Sequence, residues 1–125
     1  MSMALWIMLE TDSEDYVPED LGYMFEQLEA LDQQCDQLQV KPLGEFVDYS
    51  DAEFNLSEDE LDESWLKEHA KYVSPTELLT TFRALEGVLS QSVDEEGLLE
   101  EVHYAMNRCI EAEKQSIRVR LLALI

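Results

Sequence analysis

Glu100-Glu101-Val102-His103 contains a Glu-x-x-His step, which on a helix brings Glu100 and His103 to one face. Di-iron carboxylate bundles are built from such steps, but they need two of them and two further inward glutamates. His69, the only other histidine, follows Leu66 at that spacing, so the second half of the set is missing. His103 therefore reads as a surface or boundary histidine beside the apolar stripe Val102–Met106. Calcium fares no better. Asp12-Ser13-Glu14-Asp15 and Asp48-Tyr49-Ser50-Asp51 supply oxygen ligands, yet neither run continues into the glycine turn and the closing bidentate glutamate of a dedicated loop. No metal or other cofactor is expected.

Nucleophilic catalysis lacks its partners. Cys109 stands six residues after His103, about 120° round a helix, so the two do not share a face. Cys35 is set among acids, the opposite of the electropositive setting that activates a thiol. Ser74 has a capping position, and no Gly-x-Ser-x-Gly elbow occurs. The glycines at 22, 44, 87 and 97 are isolated, so no phosphate-cradling loop forms. Two carboxylates converging on a cleft remain the one open catalytic arrangement, for a small-ligand binder or hydrolase. The balance leans against an enzyme.

Charge carries more information. Across 125 residues the formal net charge is −21, and it is unevenly spread. Residues 1–66 hold 19 of the 29 acids against one base, Lys41, a balance of −18; residues 67–125 hold ten acids and seven bases, a balance of −3. Direct nucleic-acid binding needs a basic footprint and is not expected. A dense acidic face instead steers a basic protein partner, as an inhibitor or immunity-type protein does when it covers the cleft of a nuclease. The candidate contact residues are Asp12, Glu14, Asp15, Tyr16, Asp48, Tyr49, Asp51, Glu53, Glu58, Asp59 and Trp65, with Tyr23 and Phe46 as further aromatic anchors. The alternative is a structural or regulatory homodimer formed through an apolar patch around Trp6 and Met8.

The elements that would position these residues are mostly helical. With 46% hydrophobic residues the chain can bury one core, so residues 1–125 are expected to form a single acidic domain. Cys35 and Cys109, far apart and within apolar patterns, read as buried free thiols. The short apolar run Met3–Leu9 has neither the basic flank nor the cleavage site of a leader, and no stretch approaches the length of a membrane span. A cytoplasmic location is the expectation.

Ala4–Leu9, apolar throughout and too short for a helix, reads as a strand. Pro18 suits the first position of a helix over about 18–38, whose inward stripe is Leu21, Met24, Phe25, Leu28, Leu31, Cys35 and Leu38. Residues 39–56 fit either a short helical turn or an added strand. Ser57-Glu58-Asp59-Glu60 has capping-box spacing and predicts a helix over 58–72. Ser74-Pro75-Thr76-Glu77 predicts another to about 90, and Asp94 a fourth to about Gln115.

Ser116–Leu121 then switches to strict alternation, predicting a strand over 117–124 with Ile117, Val119 and Leu121 inward and Arg118 and Arg120 in solvent. That strand finds its partner in the N-terminal one. The fold class is therefore α+β and predominantly α-helical, about four main helices on a small sheet formed by the terminal strands, with an all-α bundle as the alternative. The layout, with Val40-Lys41-Pro42-Leu43 after the first helix and Trp65 before Ser74-Pro75, resembles small bacterial proteins of no named family. The resemblance carries over neither an activity nor site residues.

Overall fold

A computed structural model describes residues 4–13, 15–57 and 60–124. Strand β1 (Ala4–Leu9) alternates half-buried and buried positions, and its inward residues Leu5, Ile7 and Leu9 meet Ala123, Leu121 and Val119 of β3 (Val119–Leu124) in an antiparallel ladder. The terminal strands pair as their patterns predict, and the class is α+β with helices dominating. β3 is the central strand rather than an edge. β2 (Val47–Asp48) lies parallel along its other side, giving the order β1-β3-β2.

The helices are α1 (Gly22–Glu26), α2 (Leu28–Leu38), α3 (Ser50–Leu56), α4 (Glu63–His69), α5 (Pro75–Leu89) and α6 (Glu96–Gln115). The core sits between the inner sheet face and α1, α2, α5 and α6, where Met24, Phe46, Phe82, Leu85, Val102 and Cys109 are fully buried. Each large apolar side chain buried there contributes about 1.5–3 kcal/mol. Segment 39–56 takes both forms expected of it: a 3₁₀ turn over Leu43–Glu45, then β2 and α3. The Gly44 amide donates to Asp32 Oδ1, and a Cβ at this position would stand 2.5 Å from Asp32 Oδ2, so a larger residue would have to displace that carboxylate.

Four helix boundaries differ from expectation, each for an identifiable reason. Pro18 does not open a helix. Residues 20 and 21 instead run beside β1, Asp20 accepting the Leu5 amide and Leu21 donating to the Leu5 carbonyl, so α1 starts at Gly22. Gln27 then breaks the expected helix in two, α1 docking on α6 while α2 docks on α5 and the Leu43–Glu45 turn. Ser57 does not cap the next helix; Asp62 does, accepting the Trp65 amide at 3.2 Å, so α4 spans 63–69 rather than 58–72. Val93–Glu95 forms a 3₁₀ turn, and α6 begins at Glu96, one residue later than an Asp94 cap implies. By contrast Ser74 accepts the Glu77 amide with Pro75 at the first position of α5, as the sequence predicts.

At the C-terminal end, Ser116 closes α6 in the left-handed region at φ 57° and β3 starts at Val119. Ile117 is therefore not a strand residue. The inward set is Val119, Leu121 and Ala123.

Candidate interaction surface

The sequence-derived contact residues fall into two groups at different places on the molecule. Asp12, Asp15 and Tyr16 lie in the connection after β1. Asp12 Oδ2 accepts the Leu9 amide at 2.9 Å and pairs with the Arg108 guanidinium, with both side chains only 10% exposed. That guanidinium also reaches Glu111 and stacks 4.7 Å from the Tyr16 ring centroid. The Tyr104 hydroxyl, 3.4 Å from that of Tyr16, is pushed up to about 12 by burial and by this contact. Asp12 is thus committed internally, whereas Asp15 and Tyr16 are exposed. Glu14, Glu58 and Asp59 lie outside the described residues.

Asp48 is not a surface residue either. It is 2% exposed; Oδ1 accepts the Ser50 amide at 2.8 Å, while Oδ2 accepts the Lys71 amide at 2.9 Å and Arg120 Nε at 2.5 Å. Burial alone would raise its carboxyl, but the Lys71 and Ser50 bonds and the Arg120 guanidinium outweigh it and hold the group below its ordinary range. Arg120, expected in solvent, is half-buried against Asp48 and the Ser50 hydroxyl. Arg118 is exposed as expected and pairs with Glu10.

The second group comes together on α3 and α4. Tyr49, 41% exposed, precedes α3, and Asp51 and Glu53 occupy its first turn, where carboxylates complement the positive end of the helix dipole. Asp62 caps α4, and Lys67 and His69 complete its opposite end. Trp65 sits between, its ring stacked on His69 at 4.1 Å and tilted against Phe54 at 6.4 Å.

No apolar residue of α3 or α4 is fully buried. One side of α4 faces a groove of about 490 Å³ lined by Ala52, Leu56, Leu61 and Trp65 with Glu53 and Ser57, and Leu56 is 66% exposed. The other side faces a hollow of about 390 Å³ between Leu66, Ala70, Tyr72 and Leu122, where Lys67 and Arg120 stand opposite Asp51. Trp65, singled out in the sequence from its setting among acids, lines the groove. Leu56 and Leu61 were not singled out, because a leucine in a short amphipathic segment looks the same whether it faces a core or a groove.

The cations explain why this surface stays negative. Three of the four arginines reach back to acids of the first half: Arg108 to Asp12, Arg118 to Glu10 and Arg120 to Asp48. Among the described residues the ion pairs involve no carboxylate of α3 or α4. Residues 50–69 carry eight acids and one lysine.

The residues screened for chemistry are engaged otherwise. His103 Nε2 meets Glu86 at 2.7 Å across α5 and α6, and among the described residues no group of three or more His, Cys, Asp or Glu is placed to hold a metal. Glu101, neighbour to the Glu-x-x-His pair, accepts the amides of Met24 at 2.7 Å and Tyr23 at 3.0 Å and so fastens α1 to α6. Burial pushes its carboxyl up despite those bonds. Cys35 and Cys109 are buried free thiols, and burial raises Cys109 to about 12. The Trp6 and Met8 side chains, proposed from the sequence as a dimer patch, are half-buried on the outer sheet face. No helix among the described residues is long and apolar enough to cross a membrane. Compared with protein-family models, with curated proteins and with solved structures, the chain matches none.

Proposed function

We propose that this chain is a non-catalytic protein-interaction module of the inhibitor or immunity type, which presents its α3–α4 surface to a basic partner in the cytoplasm. One observation carries the reading: an apolar groove lies among carboxylates of α3 and α4 that, among the described residues, form no ion pair. An interface of that composition combines buried apolar anchors with a polar rim, and its charge accelerates encounter with a partner of opposite sign. Self-association through the same surface would set acid against acid, at a cost of several kcal/mol.

The test is capture at low ionic strength on the immobilised protein, followed by stopped-flow measurement of the association rate with the retained protein over a salt series. The reading expects a basic partner whose association rate falls by about tenfold or more between low and physiological salt. Retention of no basic protein, or a rate indifferent to salt, overturns it.

A further inference from the structure

Resting on that reading, we infer that the groove between α3 and α4 receives a basic amphipathic helix of the partner, with Leu56 and Trp65 as the walls that grip its apolar stripe. Three features of the molecule argue for a helix rather than another kind of segment.

The groove has the form a helix fills. Ala52 and Leu56 stand four residues apart on α3, so that wall presents a row of the kind that interlocks with i, i+3, i+4 and i+7 anchors, while Leu61, just before α4, and Trp65, on it, line the facing wall. Each helix is seven residues long, or about 10 Å, which matches the distance between i and i+7 anchors of one docked helix.

The alternative of adding a strand is poorly served. On the outer edge of β1 the Leu5 amide and carbonyl are taken by Asp20 and Leu21, and the Leu9 amide by Asp12. The opposite edge, β2, offers two residues. An extended peptide would find few backbone groups to bond.

The charge selects the helix's polar face. Glu53 lines the groove, Glu60, Asp62 and Glu63 are exposed in the segment that carries Leu61 and Trp65, and among the described residues none of the four forms an ion pair. A helix with lysine or arginine flanking its apolar stripe pairs with this rim, while a neutral or acidic one leaves the carboxylates facing an apolar or like-charged surface. Two short helices without a fully buried apolar residue also gain the cover they lack, since helices of this length are marginal by themselves.

The experiment uses the full chain carrying Trp6→Phe, so that Trp65 is the sole tryptophan reporter. It is titrated with a leucine–lysine peptide of roughly 15 residues, long enough for about four turns. The controls are the same composition reordered to break the helical period, a version with alanine for every leucine, and a version with glutamine for every lysine. The periodic basic peptide is expected to bind with a blue shift of Trp65 emission, at least about tenfold more tightly than the reordered or alanine versions. Leu56→Asp should remove that advantage, and because Leu56 is 66% exposed the variant keeps its fold, which circular dichroism verifies.

If every lysine-bearing peptide binds equally and Leu56→Asp changes nothing, the groove inference falls while the acidic-surface reading stands. If the glutamine version binds as well as the basic one with no effect of salt, the acidic-surface reading falls. Failure of the periodic basic peptide to bind overturns the inference outright.

Discussion

Arg120 Nε donates to Asp48 Oδ2 at 2.5 Å, joining the central strand to its short parallel neighbour with a carboxylate that is only 2% exposed. The same oxygen accepts the Lys71 amide, and Oδ1 accepts the Ser50 amide at the start of α3. One buried carboxylate therefore fixes β2, β3, the entry to α3 and the chain leaving α4. The surface proposed for docking is built on this knot.

Asp48→Ala removes the acceptor of two amides and leaves the half-buried Arg120 guanidinium beside an apolar methyl, so it is expected to cost about 3 kcal/mol in urea unfolding. Asp48→Ala with Arg120→Met removes both charges and should recover a large part of that loss, because a buried ion pair is often replaceable by apolar contact. A double variant no more stable than Asp48→Ala would show that the pair is not what holds this corner.

Acid should act on stability in two directions. The Asp48 carboxyl is held below its ordinary value, so its contribution is present above the unfolded value of about 3.9 and is lost as pH falls through the lower folded value. The Glu101 carboxyl is raised, so its contribution is fully present below about 4.3 and is lost as pH rises through the folded value. Partial neutralisation of the −21 charge adds to the second effect. Urea midpoints measured over pH 3–8 should rise from neutral pH to about pH 5 and collapse below about pH 4. Glu101→Gln should flatten the upper limb; a limb unchanged in slope would contradict the role of Glu101.

Loss of the Glu101 acceptor should also be local. Glu101→Ala orphans the Tyr23 and Met24 amides and is expected to cost about 1–3 kcal/mol. Hydrogen exchange should quicken in α1 while α5 and the ladder between β1 and β3 stay protected. Uniform quickening across the sheet would mean that α1 is not a separable unit.

The sheet and the two longest helices were legible because their signals are local. Ser74-Pro75 is a complete start signal, and the alternation after Ser116 marks a change of period. The breaks were not, since apolar spacing continues through Gln27 while its two sides dock on different partners. Asp62 outcompeted Ser57 as a cap through an aspartate that periodicity does not distinguish from its acidic neighbours. The same limit governs the site. Acidity drew attention to the region of α3 and α4, but whether a given carboxylate faces solvent or an arginine from 72 positions away, as Asp48 does, is decided by tertiary pairing.

The central claim, that the α3–α4 carboxylates receive a basic partner, is tested most directly by two variants of equal charge. Glu53→Gln, Glu60→Gln and Glu63→Gln together remove three of the four carboxylates at the groove; Glu26→Gln, Glu29→Gln and Asp36→Asn together remove three exposed charges from α1 and α2. The association rate with the captured basic partner at low salt is predicted to fall by about tenfold in the first and by less than about threefold in the second. Equal losses in both, or a larger loss in the α1–α2 variant, would contradict the account.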